Sequence, residues 1–117
     1  MDVTTATFQH DVIERSHELP VVVDFWAAWC GPCLALGPAI EGEIAKREGR
    51  LELVKVDVDA EQLLAAEYGV RTIPTVAVFR DGSPVTGFVG AHPAAAIGRF
   101  LDEAIGAHGN DVQAASA

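Results

Sequence analysis

Val21-Val22-Val23-Asp24-Phe25-Trp26-Ala27-Ala28-Trp29-Cys30-Gly31-Pro32-Cys33 decides how this chain is read. Its first six residues are β-branched or aromatic except for one aspartate, and they predict a strand. Val21, Val23 and Phe25 fall on one face, Val22 and Trp26 on the other. Apolar residues on both faces suit a central strand of a sheet covered on both sides. A short aromatic turn follows. Cys30 and Cys33, the only two cysteines of the chain, then stand at the start of a helix.

Residues i and i+3 of a helix share a face, with Cβ atoms about 5–6 Å apart, so a small adjustment brings two cysteines within disulfide range. Cys30 falls at or just before the first helical residue, beside unpaired backbone N–H groups and the positive end of the dipole. Both favour thiolate over thiol and make Cys30 the nucleophile of the pair. Cys33, one turn further in, is suited to resolve a mixed disulfide. Pro32 is tolerated because the first turn needs no N–H there. Such a closely spaced pair is a poor staple, because the loop it closes is tiny and little unfolded-state entropy is removed. In a reducing compartment it is more often catalytic or metal-binding. A structural zinc site needs four ligands. There is no second Cys-x-x-Cys, and His10, His17, His92 and His108 lack ligand spacing, so no metal is expected.

Asp24 shares its strand face with Val22 and Trp26. Burial raises a carboxyl's pKa and makes it a proton acceptor. The expectation is that Asp24 lies beneath the cysteines and takes the proton from Cys33; the alternative is a strand-end aspartate reaching water. Lys55 lies on a mixed face with Leu51, Leu53 and Asp57, and spacing leaves pairing with Asp24 and solvation equally open.

Working outward, the chain is long enough, at 117 residues, for one domain with its own core. Half of it is hydrophobic, which favours a compact globule over disorder. A net charge of −9 argues against non-specific binding to nucleic acid or anionic membrane. The polar start, Met1 to Thr7, has no signal-peptide pattern, and no stretch approaches the roughly 20 apolar residues of a membrane span. A cytoplasmic monomer is expected.

A helix is predicted over 7–17, capped by Thr7, after a short Val3-Thr4-Thr5 strand. A second covers 31–48 with a kink at Gly37-Pro38 and an end at Gly49. Leu51 to Val58 alternates as a strand, and Asp59-Ala60-Glu61-Gln62 has capping-box spacing before a helix over 60–68. Thr75 to Arg80 and Pro84 to Val89 are strands around an Asp81-Gly82 hairpin turn, and Pro93 to Ile105 is the last helix. The order βαβαβα then ββα predicts an α/β fold with a mixed five-stranded sheet, helices on both faces, and Cys30 at the C-terminal end of a central strand, where sites form in open sheets. Residues 107–117 are expected to be a flexible tail. Ile73-Pro74 is the one kind of bond where cis is cheap, although trans is the ordinary state. Gly90-Ala91 either admits another backbone or is a plain turn.

Trp29-Cys30-Gly31-Pro32-Cys33 after Val23-Asp24-Phe25-Trp26, with Pro38, Lys55, Asp59, Ile73-Pro74-Thr75 and Gly90 at matching places, resembles thioredoxin over roughly residues 3–106. The resemblance implies a thioredoxin domain over 1–106, four helices, and a cis-proline at Pro74 opposite the Cys-x-x-Cys helix N-terminus. It implies that Trp29, Gly31, Pro32, Ile73, Pro74 and Gly90 bind substrate, with the Ile73 backbone pairing strand-like with a bound polypeptide. Asp24 is implied as the buried acid, with Lys55 nearby. The implied activity is protein dithiol–disulfide exchange serving electron transport and cell redox homeostasis. No bound cofactor is implied; the Cys30–Cys33 disulfide is recharged by thioredoxin reductase and NADPH. Leu34 stands where thioredoxins commonly carry Lys or Arg, which removes a cation from the rim. Thr7 to Ile13, Leu19-Pro20-Val21, Asp59 to Leu63 and Gly87 to Gly90 also resemble the thioredoxin domain of chaperedoxins, which implies an alternative role in holding unfolded client proteins.

Overall fold

The computed structural model describes residues 1–116, and the side chains of residues 1–106. Four strands form one sheet: β1 (Val21–Trp26), β2 (Glu52–Asp57), β3 (Thr75–Arg80) and β4 (Ser83–Val89), in the order β2-β1-β3-β4. β1 runs parallel to β2, with Asp24 opposite Lys55 and Trp26 opposite Asp57. It runs antiparallel to β3, with Asp24 opposite Val76. The two strands richest in β-branched and aromatic residues are thus central.

The sheet has four strands where five were expected. The expected Val3-Thr4-Thr5 strand is absent; just before it Asp2 makes a single parallel bridge to Lys55, with the Val3 amide donating to the Lys55 carbonyl at 2.9 Å. The chain then turns away, because Thr7 N donates to Thr4 O and Thr4 N to Thr7 Oγ1, each within about 3.1 Å. The same turn occupies the Thr7 hydroxyl, so Thr7 does not cap the next element; Phe8 stands at that position without a side-chain cap. The expected helix over 7–17 is a π-helical stretch, Gln9–Glu14, followed by a 3₁₀ turn, Arg15–His17. Three α-helices follow, α1 (Gly31–Ala45), α2 (Gln62–Glu67) and α3 (Ala94–Ser116). Glu48 and Gly49, both at positive φ, carry the chain out after α1. The expected flexible tail, 107–117, lies outside the residues whose side chains are described.

Alternation along β1 sorts the core into two layers. Val21, Val23 and Phe25 pack with Val54, Val56 and Phe79 under Phe8, Val12 and Leu64. Val22 packs on the other face with Val76, Val78, Leu36, Ile40, Ile97 and Leu101, under α1 and α3. Full burial of such side chains stabilises the fold by about 1.5–3 kcal/mol each before entropy is counted. The β3–β4 turn takes positive φ at Asp81 (51°) and Gly82 (88°), as a tight hairpin requires. Buried Ser16 holds that turn, since its Oγ accepts from Gly82 N at 2.8 Å.

Candidate active site

The parallel β1–β2 pair ends both strands on one edge, and the cysteines lie there. Cys30 is the N-cap of α1, in extended backbone, and Gly31 and Pro32 form the first helical positions. The two cysteines form a disulfide with Cα atoms 5.2 Å apart. Cys30 Sγ accepts the Cys33 amide at 3.2 Å. That bond and the helix N-terminus both stabilise negative charge on this sulfur once the disulfide opens. Both cysteines are buried, in a small cluster with Ala27, Trp26, Val58 and Ile73.

The loop before β3 forms the facing wall. The Ile73 carbonyl oxygen lies 3.8 Å from Cys30 Sγ. The Ile73–Pro74 peptide bond is cis. Gly90 N donates to Pro74 O at 2.8 Å with φ +86°, so a backbone that only glycine adopts freely is drawn against Pro74. Gly31, Pro32 and Trp29 are exposed at the rim, and Trp29 is 70% exposed.

Asp24 is fully buried on the face covered by α1, the helix that carries Cys33. Neither of its carboxylate oxygens has a hydrogen-bond partner among the described residues. Burial pushes this carboxyl up to about 6, Lys55 opposes the rise and Glu41 adds to it. Lys55 is partly exposed and is not bonded to Asp24. Its Nζ sits 4.8 Å from the centre of the Trp26 ring and 3.8 Å from Glu41 Oε2.

Two further residues enter the site that sequence reasoning did not assign to it. Asp59 accepts from Trp29 Nε1 at 2.8 Å. Asp59 is not the cap of α2, whose N-cap is Glu61 with no side-chain cap bond; Asp57 Oδ1 takes the Asp59 and Ala60 amides in the turn before that helix. Only the sheet register, which pairs Trp26 with Asp57, carries residues 29 and 59 onto the same sheet edge. Glu41 is the other, and nothing in its spacing marks it out.

The thioredoxin family model matches residues 1–103. The chain belongs to the thioredoxin family. It is 42% identical to thioredoxin 1 of Synechococcus elongatus over 86% of this chain and 92% of that protein. It is 46% identical to the thioredoxin of Streptomyces clavuligerus over 82% and 87%, and 40% identical to that of Porphyra purpurea over 88% and 94%. With its Cys30–Cys33 pair at a helix N-terminus, this thioredoxin-family chain is a dithiol–disulfide oxidoreductase. The family carries no prosthetic group. Among the described residues, no cluster of three or more His, Cys, Asp or Glu is placed to hold a metal ion, and no helix is long and apolar enough to cross a membrane. Nothing in the fold or the relatives favours the client-holding alternative.

Proposed function

We propose that this protein reduces disulfides in other proteins in two exchange steps. The observation that carries the reading is Cys30 Sγ, held by the Cys33 amide at 3.2 Å and set 3.8 Å from the Ile73 carbonyl. In the reduced protein the Cys30 thiolate attacks a substrate sulfur, forms a mixed disulfide and releases one substrate thiolate. Asp24 takes the Cys33 proton, and the Cys33 thiolate attacks Cys30 Sγ and expels the second substrate sulfur. Two electrons leave the dithiol, Cys30–Cys33 becomes a disulfide, and the proton on Asp24 returns through solvent to a released thiolate. A carboxyl pushed up to about 6 is matched to that shuttle near neutral pH.

The groove is Trp29, Gly31 and Pro32 on the helix side and Ile73, Pro74 and Gly90 on the other. A substrate segment lies between them and pairs with the Ile73 backbone. The oxidised protein is recharged by thioredoxin reductase and NADPH. It works as a cytoplasmic monomer in electron transport and redox homeostasis. Exposed Leu34 beside Cys33 gives the rim an apolar residue, and substrates and reductase that tolerate it are favoured.

Insulin disulfide reduction tests this, with wild type beside Cys30→Ser and Cys33→Ser. With dithiothreitol as donor, wild type turns over and both variants do not. A wild type as inert as the variants ends the reading. Activity with dithiothreitol but none with thioredoxin reductase and NADPH ends the recharging claim alone.

A further inference from the structure

Lys55 is the direct neighbour of Asp24 across the parallel β1–β2 pair. A cation opposite a buried carboxylate gains most by bonding to it, since the low dielectric there strengthens attraction and nothing else satisfies the charge. Yet both Asp24 oxygens are without a hydrogen-bond partner among the described residues. The ammonium is turned outward instead, over the Trp26 ring at 4.8 Å and to Glu41 Oε2 at 3.8 Å. Glu41 is more than half exposed, and it sits on α1 three residues after Pro38. The ammonium also lies against the same helix at Gly37, where a Cβ would meet Lys55 Nζ at 3.5 Å, an ordinary contact.

We propose that Glu41 is a positioning residue for Asp24: its carboxylate holds the Lys55 ammonium out over Trp26 and away from the buried carboxyl. Two carboxylates thus compete for one lysine. The exposed one keeps it at the pocket's outer end, and the buried one stays unbonded and ready to accept a proton. The inference rests on the proposed role of Asp24 in the exchange reaction and names the residue that keeps it proton-accepting. The charged or titratable groups facing Asp24 are Lys55 from β2 and Glu41 from α1. β3 offers Val76. The cysteines do not titrate while joined as a disulfide.

The test is a carboxyl-detected NMR titration of Asp24 in the oxidised full chain. It compares wild type, Glu41→Gln, Lys55→Met and the double variant. Glu41→Gln frees Lys55 to reach Asp24, and the Asp24 midpoint falls by about half a pH unit or more, the size of one partly screened charge. In the Lys55→Met background, Glu41→Gln has a clearly smaller effect, because there is no lysine to release. An unmoved midpoint in Glu41→Gln overturns the proposal. So does an equal fall in both backgrounds, which reduces Glu41 to a through-space repulsion. The pH profile of insulin reduction separates this from the underlying mechanism. If the Asp24 midpoint moves as expected while the activity profile does not, the holding role of Glu41 stands and Asp24 is not the proton acceptor.

Discussion

Asp24→Asn isolates the cost of keeping an ionisable group in the core. Asparagine matches the protonated acid in shape and carries no charge at any pH. In the folded protein the Asp24 carboxyl is raised from 3.8 to about 6, first by burial, with Lys55 opposing and Glu41 reinforcing. At about 1.4 kcal/mol per pH unit, that displacement corresponds to about 3 kcal/mol of stability. The sign follows from proton counts. Between the two values the folded protein holds the proton and the unfolded chain has lost it, so stability falls as pH rises. Below about 4 both states are protonated and the penalty is absent; above about 6 it is complete. Guanidinium unfolding of the oxidised proteins from pH 4 to pH 8 is the assay. The variant gains little over wild type at pH 4, and its advantage grows to about 3 kcal/mol above pH 6. A gap of the same size at pH 4 and pH 8 refutes the reasoning, because the carboxyl then titrates as it does in the unfolded chain.

Other outcomes follow from particular contacts. A Cβ on Gly87 would lie 2.5 Å from the Val76 carbonyl oxygen, which is backbone and cannot swing aside. Gly87→Ala therefore loses about 1–3 kcal/mol in denaturant unfolding. A Cβ on Gly42, exposed in the last turn of α1, would meet no described atom within 4 Å, and Gly42→Ala gains about 0.5–1 kcal/mol in the same assay. Asp59→Ala removes the 2.8 Å anchor of the Trp29 indole. Loss of one such intramolecular bond lowers stability by about 0.5–1.5 kcal/mol in denaturant unfolding, and the freed indole at the rim raises KM for insulin.

What the sequence made legible was whatever local chemistry decides. Val21–Trp26 and Thr75–Arg80 read as strands because β-branched and aromatic residues crowd them, and the strands have those bounds. The dithiol was legible because helix spacing alone brings i and i+3 together. The strand count was not, because pairing of the first segment depends on Lys55, far along the chain, and stops after one bridge. Asp59 looked like a cap because cap and anchor use the same short carboxylate; only the sheet register puts Trp29 within its reach. Lys55 was ambiguous for a related reason. Its backbone position is set by β2, but its ammonium is placed by Glu41 and Trp26 from two other elements.

The central claim, that Cys30 attacks and Cys33 resolves, is tested most directly by trapping the intermediate. Reduced Cys33→Ser is mixed with insulin, quenched with acid and mapped by mass spectrometry. A mixed disulfide through Cys30 accumulates in Cys33→Ser, and Cys30→Ser yields little or none through Cys33, which lies inside α1 rather than at its N-cap. A mixed disulfide that instead accumulates through Cys33 in Cys30→Ser, with none through Cys30 in the other variant, contradicts the account.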